Sequence, residues 1–277
     1  WSRFESGLFY FYVSSTDQDA HMLWRNMDET HPKHNESDVR FAGWIPHLYE
    51  EMDKLVGKVL PAVDDKTLLL ICSDHGFTQF ARQFHLNTWL RDNGYLALKD
   101  KAAQKEETSI FDVDWSQSVA YGVGFNGLYL NLQGREGEGI VPPQKAGEIT
   151  AKLARELEAI IDPETGQHPI AKVYRREDMY IGPATPMMPE LLVGYTPGYR
   201  NASASVLGST GKPTIDLNPW AWSGDHSMAR DLVPGTLMSS KKVARANTSI
   251  LDLPVTVLDF FGIEKPEQMV GRSIFQV

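Results

Sequence analysis

Residues 8–21 have the sequence Leu-Phe-Tyr-Phe-Tyr-Val-Ser-Ser-Thr-Asp-Gln-Asp-Ala-His, in which an uncharged aromatic run ends in carboxylates and an imidazole. A continuous apolar run is typical of a strand buried on both faces, so residues 8–14 are predicted to form one. Asp17 and His21 follow, four positions apart. In a helix or turn this spacing places both side chains on one side, a pair suited to Zn²⁺ or Mn²⁺. In the alternative, Asp17 or Asp19 only caps the turn.

A helix and a second buried strand are predicted next. Apolar residues recur every three or four positions between Asp38 and Leu60, and Pro61 ends this stripe. Residues 67–73, Thr-Leu-Leu-Leu-Ile-Cys-Ser, are again almost wholly apolar. The order strand, helix, strand with a long connection predicts parallel pairing. Because the first strand begins so early, we expect further elements of its sheet to precede Trp1.

The middle of the chain has a different pattern, with antiparallel signals. Two short strand-like runs flank Asn126-Gly127, a dipeptide typical of a hairpin turn. The stretch 195–223 is rich in Gly, Pro, Ser, Thr and Asn and is predicted to be a long surface excursion. Periodicity and turn residues predict further elements: a helix over 144–161, strands over 170–174 and 189–194, and a helix near 254–261.

Two more carboxylate and imidazole clusters occur along the chain. Asp74 and His75 follow the second apolar run, at the kind of strand end where α/β sheets form ligand sites, although an ordinary surface turn would also explain them. His226 follows Gly224 and Asp225. It is either a ligand or a structural histidine, with Asp225 as its orienting partner or as a cap.

Composition excludes several classes of protein. There are 27 Lys and Arg against 36 Asp and Glu, so the formal charge of −9 argues against binding to nucleic-acid duplexes. The single cysteine, Cys72, permits no intrachain disulfide and is predicted to be buried. No apolar stretch approaches the length that crosses a bilayer.

Taken together, the motifs resemble the type I phosphodiesterase/nucleotide pyrophosphatase group of the alkaline phosphatase superfamily, along nearly the whole chain. The segments that carry the resemblance are Asp17-x-x-x-His21, Ser73-Asp-His-Gly-Phe77, Leu86-Asn-Thr-Trp-Leu90 with Gly94-Tyr95, Gly127-Leu-Tyr-Leu-Asn131, Pro189-Glu-Leu-Leu-Val193, Gly224-Asp-His226, and Leu251-Asp-Leu-Pro-Val-Thr-Val-Leu258 with Gly262-Ile263.

The resemblance implies an α/β fold with a mixed, mostly parallel central sheet flanked by helices, as in alkaline phosphatase, and a small antiparallel insertion. It implies one domain over residues 1–277 that is incomplete at the N-terminus, with an antiparallel and helical subregion at about 100–185. It also implies two divalent metal ions, usually zinc, with manganese as the alternative. Asp17, His21 and His226 would bind one metal, and Asp74 and His75 the other.

In this family the sixth metal ligand is an Asp from the first strand of the family fold, and the Ser or Thr nucleophile sits just after that strand. In this chain both would lie upstream of Trp1. The catalytic nucleophile is therefore unknown, since Ser73, Thr78 and Ser223 match no nucleophile motif. We expect the intact protein to hydrolyse phosphodiester or pyrophosphate bonds, and the chain as given to be inactive with at most one well-formed metal site. His85 and Asn87 are predicted on the substrate side, with a helix cap as the alternative for Asn87.

Two other functions are consistent with the same motifs. Related members hydrolyse phosphate monoesters, sulfate esters or phosphonates on the same scaffold, because the pocket rather than the fold sets the substrate. A noncatalytic binding module that retains the fold is the second alternative. The expected partner is a small phosphate-ester substrate. An exposed sheet edge would also allow a homodimer.

Overall fold

The computed structural model describes residues 4–36, 38–102, 105, 108–210 and 213–276. The chain divides into two units, each formed from two separate stretches. The first unit comprises Trp1–Ile45 and Phe77–Val233, and the second comprises Pro46–Gly76 and Pro234–Val277. The assignment of residues 1–277 to a single domain, with its subregion at about 100–185, stays a prediction.

The described residues contain both α-helices and β-strands along the whole chain. The α-helices are α1 Ser15–Met27, α2 Trp44–Val59, α3 Leu86–Asp92, α4 Ala146–Glu158, α5 Arg176–Met179, α6 Ser203–Val206 and α7 Asp252–Phe260. The strands are β1 Leu70–Cys72, β2 Thr78–Phe84, β3 Ala120–Gly122, β4 Gly127–Leu130, β5 Ile170–Arg175, β6 Leu191–Tyr195, β7 Gly198–Asn201, β8 Ile215–Leu217, β9 Gly224–Asp225 and β10 Leu237–Ser239.

The first unit contains an antiparallel sheet in the order β3-β4-β6-β5. Its apolar side chains, together with those of α3 and α4, form the main hydrophobic core. Members that are fully buried include Leu128, Leu153 and Leu191. Burial of such side chains removes apolar area from water at about 25 cal/mol per Å², which makes this core the main stabilising element of the unit.

A second sheet of the same unit positions the candidate site. Strand β2 lies at its centre, pairing parallel with β7 and antiparallel with β8. At its first residues β2 also pairs antiparallel with the short strand β9, with Thr78 opposite Asp225 and Gln79 opposite Gly224. This pairing carries the segment around Gly224 to the side of α1.

The second unit is built around one antiparallel pair of strands. Leu70 of β1 lies opposite Ser239 of β10, and Cys72 lies opposite Leu237. Most of α2 and all of α7 belong to this unit. Asp252 begins α7, where its carboxylate accepts a hydrogen bond from the Ser249 backbone N–H at 2.9 Å.

The mixed α/β class is observed, but a mostly parallel sheet is not. Among the described strands β2 and β7 pair in parallel, whereas the remaining pairs are antiparallel. The main reason is that residues 8–14 form no strand, and Leu8, Tyr10 and Tyr12 are 66–78% exposed. Strand propensity alone does not make a strand, which forms only when a neighbour supplies the hydrogen bonds.

Two other expectations are corrected. The stretch 195–223 is not a surface excursion, because it contains β7, α6 and β8, with Tyr199 and Asn201 both buried. The polar composition of this stretch predicted a loop. Strand β7 nevertheless forms, because it pairs with β2, which is far away in the sequence. Cys72 is exposed rather than buried, since it lies on a two-stranded sheet.

Several local predictions are confirmed within a few residues. They are the helices now labelled α2, α4 and α7, the hairpin of β3 and β4 about Asn126-Gly127, and the strands β5 and β6. None of the described helices is long and apolar enough to pass through a lipid bilayer. Dimerisation through a sheet edge stays a prediction.

Candidate metal centre

Helix α1 brings the first two predicted ligands together. Asp17 lies in its first turn and His21 one turn later, so that Asp17 Oδ1 is 3.6 Å from His21 Nε2. A carboxylate is favourable in this first turn because the helix N-terminus carries partial positive charge. Asp19, the alternative cap, instead accepts a hydrogen bond from the Trp44 indole at 2.8 Å.

The segment that includes β9 supplies the third side chain. His226 directly follows β9, and its Nε2 lies 3.6 Å from Asp17 Oδ1. Ser223 connects this segment to α1 by two hydrogen bonds. Its backbone N–H donates to the His21 backbone carbonyl at 2.7 Å, and its Oγ accepts a hydrogen bond from the Arg25 backbone N–H at 3.2 Å. Ligand atoms of Asp17, His21 and His226 all lie within 4.8 Å of one another.

A backbone carbonyl fixes the tautomer of His21. Its Nδ1 lies 2.7 Å from the Gly224 carbonyl oxygen, which can only accept a hydrogen bond. The ring hydrogen therefore sits on Nδ1, and the lone pair of Nε2 points towards Asp17. Burial lowers the pKa of His21, and this outweighs the Gly224 hydrogen bond and the nearby carboxylates, which raise it. The lowered pKa favours the neutral imidazole of His21, the form that binds metals.

Aromatic rings enclose His21. The ring of Trp222 lies against it with 3.7 Å between centroids, and Phe77 meets it edge-on at 4.7 Å. The rings of His21 and His226 are 5.1 Å apart. The Trp222 and Phe77 contacts hold the imidazole in one plane, so its Nε2 keeps a defined direction.

Asp225 lies behind both histidines. Its carboxylate is buried and accepts hydrogen bonds from the backbone N–H groups of His226 and Ser227, each at 2.8 Å. It also receives the Trp222 indole N–H at 2.9 Å and forms an ion pair with Arg200 at 2.8 Å. Burial raises the pKa of Asp225, but Arg200 and these hydrogen bonds together lower it below its ordinary value.

The three convergent side chains suit a transition-metal cation. One carboxylate and two imidazoles are the donor types that zinc and manganese accept. His21 is 5% exposed, whereas Asp17 and His226 are 36% and 30% exposed, so the group opens to solvent on one side. An open side is what a catalytic metal needs in order to reach substrate.

The other predicted ligands, Asp74 and His75, lie in the second unit. There Asp74 Oδ2 is 3.6 Å from His75 Nε2, and the Asp74 side chain is 71% exposed. His75 Nδ1 lies 2.9 Å from the Gly76 carbonyl, to which it donates. The role of this pair in binding a second metal stays a prediction.

The two residues predicted on the substrate side are both buried. His85 Nε2 lies 3.0 Å from Asp216 Oδ1. Asn87 accepts the Gly122 N–H at 2.7 Å and donates to the Gly122 carbonyl at 2.8 Å, so its side chain links α3 to β3. The cap interpretation of Asn87 is wrong because His85 occupies the N-cap of α3. Substrate contact by His85 and Asn87 stays a prediction.

Sequence reasoning missed Arg200 and the stacking role of Trp222. Trp222 stands four residues before His226, so its proximity to the cluster had a local signal. Arg200 had none, because it reaches Asp225 through the separate pairing of β7 and of β9 with β2. Contacts of this kind depend on the sheet rather than on spacing along the chain.

A comparison with known protein families finds a match for most of the chain. Residues 3–210 match the family described as type I phosphodiesterase / nucleotide pyrophosphatase. Asp17, His21, Asp74 and His75 lie inside the matched stretch, and His226 lies beyond it. No individual curated protein matches the chain. Because the match covers most of its length, the chain belongs to the type I phosphodiesterase/nucleotide pyrophosphatase family, a family of phosphoric ester hydrolases.

Proposed function

We propose that this protein hydrolyses phosphodiester or pyrophosphate bonds in a metal-dependent reaction, with Asp17, His21 and His226 as ligands of one divalent cation. The observation that carries the proposal is the approach of both Nε2 atoms to the same oxygen, Asp17 Oδ1, each at 3.6 Å. The match over residues 3–210 to a family of phosphoric ester hydrolases supports this class of reaction.

The residues of the chain support this role in distinct ways. Asp17 supplies negative charge that offsets a bound cation, and the imidazole nitrogens of His21 and His226 are the donors that zinc accepts without adding negative charge. When bound, the cation would stabilise negative charge on the phosphoryl oxygens of the substrate. Trp222 covers one face of His21 and keeps water from that side.

Zinc is the proposed metal, because two nitrogen donors and one carboxylate match its preferences, with manganese as the alternative. We further propose that Asp74 and His75 are ligands of a second cation. This part rests on the family and on the 3.6 Å separation of their side chains within their own unit. It predicts a separate, weaker binding event that Asp74→Ala removes.

The central test is zinc binding by calorimetric titration of the metal-free 277-residue chain. We expect one tightly bound Zn²⁺, and a loss of more than about 100-fold in affinity for His226→Ala, because loss even of a residue that only supports a ligand costs 10–100-fold. His47→Ala is the matched control, since His47 is a half-exposed histidine of α2. Equal affinity of His226→Ala and the unmodified chain would contradict the ligand assignment.

Hydrolysis distinguishes the proposed substrate class from its alternatives. An aryl phosphodiester is expected to react faster than the matching monoester or sulfate ester, and a chelator should abolish the reaction. Faster cleavage of the monoester or sulfate would favour those activities instead. Zinc binding without cleavage of any of the three would favour a noncatalytic module.

A further inference from the structure

We infer that Asp225 is a positioning residue of the metal centre: its single buried carboxylate sets the orientation of both His21 and His226, and Arg200 holds it in place. This inference rests on the proposed function, because positioning has meaning only if the two histidines bind a metal. Asp225 is 2% exposed and does not itself belong to the group of convergent ligand atoms.

Each carboxylate oxygen of Asp225 acts on a different histidine. Oδ1 accepts the backbone N–H groups of His226 and Ser227, which fixes the chain at the point where the His226 side chain leaves it. Oδ2 accepts the indole N–H of Trp222, the ring that lies against His21. Oδ2 is also 4.0 Å from His21 Nδ1, on the edge of the ring opposite the ligand atom.

The charge of Asp225 favours the metal-binding tautomer of His21. A negative charge beside Nδ1 stabilises the hydrogen on that atom and increases the electron density available at Nε2. The Gly224 carbonyl acts in the same direction through its 2.7 Å hydrogen bond. Carbonyl and carboxylate thus support the same ring edge, a typical arrangement behind a histidine ligand.

Arg200 makes the buried carboxylate tolerable. An isolated buried charge is strongly unfavourable, and a close ion pair with added hydrogen bonds offsets that cost. Arg200 Nη1 lies 2.8 Å from Asp225 Oδ2, and the guanidinium lies over the Phe80 ring at 4.9 Å from its centroid. Because Arg200 lies on β7 and Asp225 on β9, the ion pair links two of the strands that pair with β2.

The first unit offers a matched control for this pair. Asp162 is fully buried, forms an ion pair with Arg82 at 2.7 Å, and accepts the Tyr199 hydroxyl at 2.8 Å. Neither Arg82 nor Tyr199 belongs to the ligand group. Asp162→Asn therefore removes a charge of similar burial and pairing and reports what such a loss does to stability alone.

The experiment compares Asp225→Asn with Asp162→Asn in the 277-residue chain. Both variants should unfold at lower urea concentration. Zinc affinity, measured by calorimetry, should fall 10–100-fold in Asp225→Asn and stay within about twofold of the unmodified chain in Asp162→Asn. After saturation with Co²⁺, the visible absorption spectrum should change in Asp225→Asn but not in Asp162→Asn, because it reports ligand geometry.

Trp222→Phe provides a second variant in case Asp225→Asn fails to fold. It keeps an aromatic ring against His21 but removes the indole donor to Asp225, so a smaller loss of zinc affinity is expected together with a spectral change. Unaltered affinity and spectrum in the folded Asp225 or Trp222 variants would overturn the inference while leaving the proposed metal site intact. Equal losses in the Asp225 and Asp162 variants would also overturn it. Absence of zinc binding by the unmodified chain would overturn the proposed function and, with it, the inference.

Discussion

Gly224 is the residue at which β9 passes close to the backbone of α1. A Cβ atom placed there would lie 2.5 Å from the Ala20 carbonyl oxygen, 2.8 Å from the Phe77 ring and 2.9 Å from Trp24 Cβ. Real side chains do not approach a backbone oxygen so closely. The absence of a side chain therefore allows the Gly224 carbonyl to reach His21.

Replacement of Gly224 by alanine should push β9 away from α1. We expect Gly224→Ala to lower the free energy of unfolding by about 1–3 kcal/mol, the usual cost of overpacking, and to weaken zinc binding as well. Urea unfolding followed by circular dichroism measures the first effect. Gly147→Ala in α4 is the control, because a Cβ there meets nothing within 4 Å. Equal stability of both variants would show that β9 is free to shift.

His31 is a second histidine with a defined tautomer. It is 3% exposed, its Nδ1 accepts the Lys33 N–H at 3.1 Å, and its Nε2 therefore carries the hydrogen donated to the Phe80 carbonyl, also at 3.1 Å. The motifs gave no reason to expect this, since polar residues surround His31 in the sequence. Burial lowers its pKa below 6.5, outweighing the Phe80 hydrogen bond, which raises it.

The lowered pKa of His31 predicts a loss of stability in mild acid. The unfolded chain binds the proton at higher pH than the folded chain, so folding is favoured above pH 6.5 and becomes less favourable as the pH falls below it. His21 acts in the same direction. Urea unfolding at about pH 7.5 and about pH 5.5 tests this. His31→Gln should show a weaker pH dependence, and an unchanged slope would contradict the assignment.

At the scale of elements, the sequence predicted correctly those helices and turns whose signals lie within one continuous segment. The apolar stripes of α2 and α4 and the Asn126-Gly127 turn lie within single segments, and these elements appear within a few residues of their predicted positions. The strand predicted at residues 8–14 does not form, because none of the described strands pairs with it. Strand β7 was not predicted, although it forms, because its hydrogen bonds come from β2, which is distant in the sequence.

The candidate site also combines a contact that the local sequence predicts with contacts that depend on strand pairing. The spacing of Asp17 and His21 is one helical turn, so the sequence predicted that both side chains lie on one side, and the structure has them 3.6 Å apart. The approach of His226 depends on β9 pairing with β2, for which only the combined motifs gave a signal. The contact of Arg200 with Asp225 adds a third strand, and no periodicity in the chain encodes it.

At the scale of the whole molecule, the two units differ in their cores. The first contains the extended apolar cluster around α3, α4 and the antiparallel sheet. In the described part of the second unit, Val255 and Ile274 are the buried apolar side chains. Local opening costs less free energy where fewer apolar groups are buried.

Hydrogen exchange should reveal this difference. We expect amides of β1 and β10 in the second unit to exchange at least about tenfold faster than those of β2 and β6 in the first, since tenfold corresponds to only about 1.4 kcal/mol of opening free energy. Mass spectrometry of peptic fragments measures these rates. Peptides that contain β1 or β10 are compared with peptides that contain β2 or β6. Equal protection would show that the small core is as resistant to opening as the large one.

The hydrogen bond between His21 and Gly224 spans 203 residues and has a consequence for biosynthesis. A ribosome that adds about 5–20 residues per second makes the carbonyl roughly 10–40 s after the imidazole it fixes. During that interval the nascent α1 helix lacks its closing segment. The proposed metal site is therefore completed late in synthesis, because His226 is made long after Asp17 and His21.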